Sequence, residues 1–235
     1  MDIPLIVSEV FGPTIQGEGP STGQQATFLR LAGCPLKCVW CDSAFSWDWS
    51  RYKPSDEIHK MSSTQVMEKL LLCGFPGKVK LLVITGGEPM AQSSILEEFL
   101  QGILEDLDIR VEIETSGVFP PLQDFYKVHY NVSPKLESSG NSKESRLKLP
   151  SLQAYLESQR AVFKFVITSE FDFKEIEEMQ ALVGIPDSMI WIQPEGMTRE
   201  GILRSLQIMG PQVVTRGWNI SPRLHTLIWG NRRGV

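Results

Sequence analysis

Only four cysteines occur in 235 residues, too few for a scaffold held together by disulfides. A chain of this length, 42% hydrophobic and 22% charged, buries a full core without them, and one domain spanning residues 1–235 is the expectation. Basic charge is also scarce. The 23 Lys and Arg are outnumbered by 28 Asp and Glu, a formal net charge of −5, which argues against nucleic acid as a direct partner. No apolar run approaches the ~20 residues that span a bilayer, and the segment from Met1 to Val10 is too mixed and too acidic for a signal peptide. A cytoplasmic protein without membrane contact is therefore expected.

The few cysteines are unevenly placed. Cys34, Cys38 and Cys41 share eight residues, whereas Cys73 closes an apolar helical face formed by Val66, Met67, Leu70 and Leu71 and reads as a core residue. Thiolates are soft ligands for iron–sulfur clusters and zinc, and the spacing Cys34-x3-Cys38-x2-Cys41 sets three of them on one loop. Structural zinc normally takes four protein ligands, and the nearest histidine, His59, lies eighteen residues beyond Cys41. A cubane held by three cysteines leaves one iron without a protein ligand, open to the amino and carboxylate groups of a small molecule. Three unrelated thiols remain the plain alternative.

Around this loop the pattern is α/β. Apolar segments Leu5 to Phe11 and Ala26 to Leu31 flank a glycine-rich loop, Ile15 to Pro20. Strands are expected at Val79–Thr85, Arg110–Glu114, Val128–Ser133, Val162–Thr168 and Met189–Gln193, and helices at Thr64–Cys73, Ser94–Leu107, Asp172–Val183 and Arg199–Met209. Ser94-x-x-Glu97 matches a capping box. Near-continuous apolar strands suit a parallel sheet covered on both faces, so an incomplete (β/α) barrel fits. Residues 137–148 are polar and rich in serine, and read as a loop or mobile insert.

Working residues of such barrels sit at the C-terminal strand ends. Here those ends read Thr85-Gly86-Gly87-Glu88-Pro89, Glu114-Thr115-Ser116-Gly117, Ser133-Pro134-Lys135 and Gln193-Pro194-Glu195-Gly196. The glycine pair lets a ligand approach the backbone, and Lys135 suits a carboxylate. Trp40, Phe45, Trp47 and Trp49 beside the cysteine loop would shield a cluster or simply pack.

The cysteine triplet combined with Gly-Gly-Glu-Pro resembles the radical S-adenosylmethionine (SAM) superfamily. Within it, Thr14-Ile15-Gln16-Gly17-Glu18-Gly19, Phe28 to Cys34, Cys41-Asp42-Ser43 and Leu224 to Asn231 resemble the 7-carboxy-7-deazaguanine synthase family. The resemblance implies an incomplete, TIM-like radical SAM barrel, with residues 32–43 as the cluster loop. It implies a carbon–nitrogen lyase converting 6-carboxy-5,6,7,8-tetrahydropterin to 7-carboxy-7-deazaguanine with release of ammonia, in queuosine and 7-deazapurine biosynthesis. A 4Fe–4S cluster on Cys34, Cys38 and Cys41 would generate a 5′-deoxyadenosyl radical from SAM, which is then regenerated.

By the same resemblance Ile15, Gln16, Gly17, Arg30, Thr85, His225 and Val235 hold the substrate. Gly87, Glu88, Ser133, Pro134, Lys135, Gln193, Pro194, Glu195 and Gly196 hold SAM, and Ser43 ligates Mg²⁺. A reducing partner such as flavodoxin or ferredoxin and a homodimer are further implications. A glycyl-radical-enzyme activating enzyme, which shares the cysteine spacing, and a non-catalytic zinc module are the alternatives.

Overall fold

The computed structural model describes residues 3–104, 108–123 and 125–235. Nine strands form one sheet. They are β1 (Leu5–Ile15), β2 (Gln25–Leu31), β3 (His59–Met61), β4 (Leu81–Gly86), β5 (Arg110–Thr115), β6 (Val128–Val132), β7 (Ala161–Ile167), β8 (Ile190–Pro194) and β9 (Asn219–Ile220). Their order is β3-β1-β2-β4-β5-β6-β7-β8-β9. Every neighbour from β2 to β9 is parallel, while β1 runs antiparallel to both β2 and β3. The end strands β3 and β9 do not pair, so the sheet remains an incomplete barrel.

The helices are α1 (Pro54–Glu57), α2 (Ser63–Leu72), α3 (Ser93–Leu104), α4 (Lys143–Arg146), α5 (Leu149–Glu157), α6 (Asp172–Val183), α7 (Arg199–Thr215) and α8 (Leu224–Trp229). Residue alternation along the strands explains which face they cover. Leu82 and Ile84, Val111 and Ile113, Phe163 and Phe165, and Ile190 and Ile192 enter the main core with Val66 and Leu70 of α2, Phe99 and Leu100 of α3, and Ile176 and Met179 of α6. Each such side chain removed from water stabilises the fold by about 1.5–3 kcal/mol. The opposite face differs. On β2 and β4 it is apolar, with Ala26, Phe28, Leu81 and Val83 packed against Phe11. Further along it turns polar, because Glu112, Glu114, Asn131, Lys164 and Gln193 occupy the alternate positions.

Sequence expectations and structure part at four places. Strand β4 is apolar on both faces as expected, but β5 to β8 are not, because their inner face carries Glu112, Glu114, Asn131, Lys164 and Gln193. Ser94 lies inside α3, which begins at Ser93, so Ser94-x-x-Glu97 is not its cap, and the expected helix end at Leu107 falls outside the described residues. The capping box forms instead on α2, where Ser62 Oγ accepts the Gln65 N–H and the Gln65 side chain accepts the Ser62 N–H. Cys73 is the half-buried C-terminal cap of α2, not a core residue.

Residues 137–148 are not a free loop. They contain α4, whose Arg146 is buried, ion-paired with Glu175 of α6 at 2.6 Å, and donates to the Lys135 carbonyl at 2.9 Å. Glu175 also accepts the Glu137 N–H at 2.8 Å. The polar composition of the segment reflects hydrogen bonds made to the rest of the protein.

Candidate functional site

A cavity of about 520 Å³ lies at the C-terminal ends of the parallel strands. Its rim shows why β4 ends in two glycines. The Gly87 N–H donates to the Leu31 carbonyl at 3.0 Å, and the Glu88 N–H donates to the Gly33 carbonyl at 2.7 Å. A Cβ on Gly86 would overlap the Leu31 backbone, and one on Gly87 would overlap the Gly33 carbonyl. The close approach that demands glycine is thus the chain's own passage into the cysteine loop. Glu88 is fully buried behind this crossing. Its carboxylate accepts Thr115 Oγ1 (2.7 Å), the Ser116 N–H (2.8 Å), the Met90 N–H (3.1 Å) and the Ser116 hydroxyl.

Cys34, Cys38 and Cys41 are half-buried and all face the cavity. Burial pushes the Cys34 thiol up to about 12 and raises Cys38 as well, so without metal both stay protonated near neutral pH. Metal capture has to displace those protons. The loop is held from outside. Trp40 Nε1 donates to the Ser138 carbonyl at 3.0 Å, the Val39 N–H to the Ser139 carbonyl at 3.0 Å, and the Lys37 N–H to Asn141 Oδ1 at 2.8 Å. Among the described residues no three His, Cys, Asp or Glu side chains converge to hold one metal ion. A cubane spreads its thiolates over separate irons, so three soft donors spaced around one cavity fit such a cluster better than a four-ligand zinc site.

Deeper in the cavity lies a charged network. Lys164 and Arg223 both pair with Glu18, the latter at 3.3 Å, and Arg223 also pairs with Asp42 beside the cysteine loop. Burial alone would raise the Glu18 carboxyl, but Lys164 and Arg223 outweigh it and hold the group well below the usual carboxylate range. Glu114 shows the reverse balance. It accepts Gln16 Nε2 at 3.0 Å and Thr85 Oγ1 at 2.8 Å, yet burial keeps its pKa raised despite nearby Lys164. With the two cations matched by Glu18 and Asp42, Glu114 is the surplus acid, suited to receive N–H groups from a ligand.

His225 lies against Gly17, where a Cβ would fall inside the imidazole ring, and the Leu224 N–H donates to the Gly17 carbonyl at 2.8 Å. Burial lowers the His225 pKa, so the ring is neutral near pH 7. Across the cavity Arg30 Nε donates to Glu9 at 2.7 Å while its guanidinium sits 5.7 Å from the ring centroids of both Phe11 and Phe45. Glu9 also accepts Arg233 Nε at 2.9 Å. Among the described residues the remaining Arg30 N–H groups have no protein acceptor, so a planar cationic fork faces the cavity.

The structure therefore gathers most of the residues singled out by the sequence. Ile15, Gln16, Gly17, Arg30, Thr85, His225 and Val235 line the cavity together with the three cysteines, Ser43, Gly87, Ser133, Lys135, Gln193 and Glu195. Glu88, Pro134, Pro194 and Gly196 do not, although the Gly196 carbonyl accepts Arg223 Nη1. Lys135 Nζ donates to the Ser133 carbonyl (2.7 Å) and hydroxyl (2.8 Å), and Gln193 Oε1 accepts Ser221 Oγ at 3.0 Å. Ser43 Oγ has one polar neighbour, Cys41 Sγ at 3.6 Å. Of the loop aromatics, Trp40, Phe45 and Trp47 reach the cavity and Trp49 does not. Sequence reasoning missed Lys164 and Arg223, and it placed Glu114 at a polar strand end without giving its carboxylate a role. A lone lysine in the apolar run Val162 to Ile167 was the available signal.

Residues 29–133 match the Radical SAM superfamily. The chain is 36% identical to the 7-carboxy-7-deazaguanine synthase of Pyrobaculum aerophilum over 97% of its own length and 96% of the relative's. It is 32% identical to that of Bacillus subtilis over 97% and 98%. A crystal structure of QueE from Escherichia coli superposes with a TM-score of 0.65 at 25% identity, covering 92% of each chain.

Proposed function

Because this chain belongs to the 7-carboxy-7-deazaguanine synthase family, we propose that its cavity converts 6-carboxy-5,6,7,8-tetrahydropterin to 7-carboxy-7-deazaguanine with loss of ammonia. The observation that carries this reading is the meeting, in one cavity, of three cysteines with a cationic fork and a surplus buried acid. The chain is a radical SAM lyase that takes a 4Fe–4S cluster and SAM. Cys34, Cys38 and Cys41 would hold the cluster, which when bound with SAM would supply radical hydrogen-abstraction chemistry at the substrate.

The chain's own residues bind, orient and exclude water. Arg30, pinned by Glu9 and flanked by Phe11 and Phe45, receives the substrate carboxylate on its open edge. Glu114, with Gln16 and Thr85 fixing its oxygens, accepts N–H groups of the pterin, and neutral His225 closes the same end. Gly87, Ser133, Lys135, Gln193 and Glu195, which line the cavity, would hold SAM. Glu88 supports that side indirectly, by holding Thr115 and Ser116. Ser43 would offer one hydroxyl oxygen to Mg²⁺, a hard cation that prefers oxygen donors. Asp42 is drawn toward Arg223 instead.

We also read residues 1–235 as one domain acting as a homodimer in the cytoplasm, where thiols stay reduced, with a flavodoxin- or ferredoxin-like electron donor. Among the described residues no helix is long and apolar enough to cross a membrane. The deciding experiment is anaerobic turnover of reconstituted protein with 6-carboxytetrahydropterin, SAM and Mg²⁺. A deazaguanine product is expected, and its absence from cluster-replete protein overturns the reading.

A further inference from the structure

The three cysteine sulfurs differ in what donates to them. Cys38 Sγ accepts an N–H of the Asn141 carboxamide at 3.3 Å, and Cys41 Sγ accepts the Trp47 indole N–H at 3.3 Å. The Asn141 orientation is dictated by chemistry. The Lys37 N–H donates to one end of the carboxamide at 2.8 Å, so that end must be the oxygen, and the amino group necessarily faces sulfur. Ser139 Oγ accepts from the same amino group at 3.1 Å, which gives both of its protons a partner. Asn141 is outside the substrate cavity and reaches the cysteine loop from the segment that follows β6.

An N–H aimed at a ligating sulfur withdraws charge from it, and it stabilises the more negative oxidation state of a cluster more than the less negative one. We propose that Asn141 and Trp47 are positioning residues that raise the reduction potential of the cluster through N–H···S hydrogen bonds to Cys38 and Cys41. This rests on the cluster assignment made above. The step affected is entry of one electron from the protein donor, which takes the cubane from its 2+ to its 1+ state with no bond made or broken. The two donors act on different sulfurs, so both shift the potential in the same direction.

The test is a redox titration of anaerobically reconstituted holoenzyme, without substrate, followed by electron paramagnetic resonance and paired with iron and sulfide analysis. Trp47→Phe keeps the ring and removes only the donor. It is expected to hold a full cluster whose midpoint potential lies below that of the unmodified protein. Asn141→Ala is expected to shift the potential in the same direction, and the double variant further than either. A purely structural role would lower cluster content while leaving the midpoint of the remaining cluster unchanged. An unmoved midpoint in Trp47→Phe overturns the proposal even if Asn141→Ala fails to hold a cluster. Unmodified protein that assembles no cluster would overturn the parent reading instead, so the two failures are distinct.

Discussion

Cys38, Arg30 and Glu18 each face a different demand, and each makes a separate prediction. Cys38→Ala removes one of three thiolates, and iron content and visible absorption of the reconstituted protein are expected to fall together with all activity. Arg30→Ala is expected to leave SAM binding intact while weakening substrate by about 2–3 kcal/mol, on the order of 50-fold in KM, the scale of hydrogen bonds to a charged group. For Glu18 the pH dependence has a definite sign. Its folded pKa lies well below the ordinary carboxylate value of 4.5, so the stability it contributes is complete above that value and is lost as pH falls. The melting-temperature gap between the protein and Glu18→Gln should therefore hold steady from neutral pH to about pH 5 and narrow as the pH falls from there toward about 3. An unchanging gap would contradict the pairing with Lys164 and Arg223. The cysteine triplet was legible because metal ligation imposes a short local spacing. Lys164 and Arg223 were not, because their partners lie far away in sequence: Arg223 meets Asp42 across 181 residues.

Between residue and fold stand the elements, and there the helices and strands were read most faithfully. Continuous apolar patterning located β4, β5, β6, β7 and β8, and α6 coincides with its expected span of Asp172–Val183. Periodicity did not reveal β3 and β9, which are three and two residues long. It also misjudged residues 137–148, since a polar segment that spends its hydrogen bonds on a neighbouring loop looks the same in sequence as one that spends them on water. Glu175 is the key to that segment. Glu175→Ala strands the buried Arg146 guanidinium, and a loss of about 3 kcal/mol is expected in chemical denaturation. A loss below about 0.5 kcal/mol would mean that Arg146 finds solvent instead.

At the scale of the whole molecule, the parallel order from β2 to β9 brings the cysteine loop, the segment after β6 and the residues around α8 to one end of the sheet. The α/β barrel class was legible from the alternation of elements, and the inner polar face was not, because apolar residues flank Lys164 on both sides in sequence. A chain ending before residue 137 retains all three cysteines but lacks Ser138, Ser139 and Asn141. Its reconstituted iron content is expected to fall several-fold below that of the full chain, as measured by iron and sulfide analysis.

That dependence sets an order of events during synthesis. The cysteines leave the ribosome early, whereas the carbonyls that anchor Trp40 and Val39 follow roughly a hundred residues later, several seconds at ordinary elongation rates. The cysteine loop therefore gains its outer anchors only after residues 138–141 have been made, and stable metal loading is expected to wait for them.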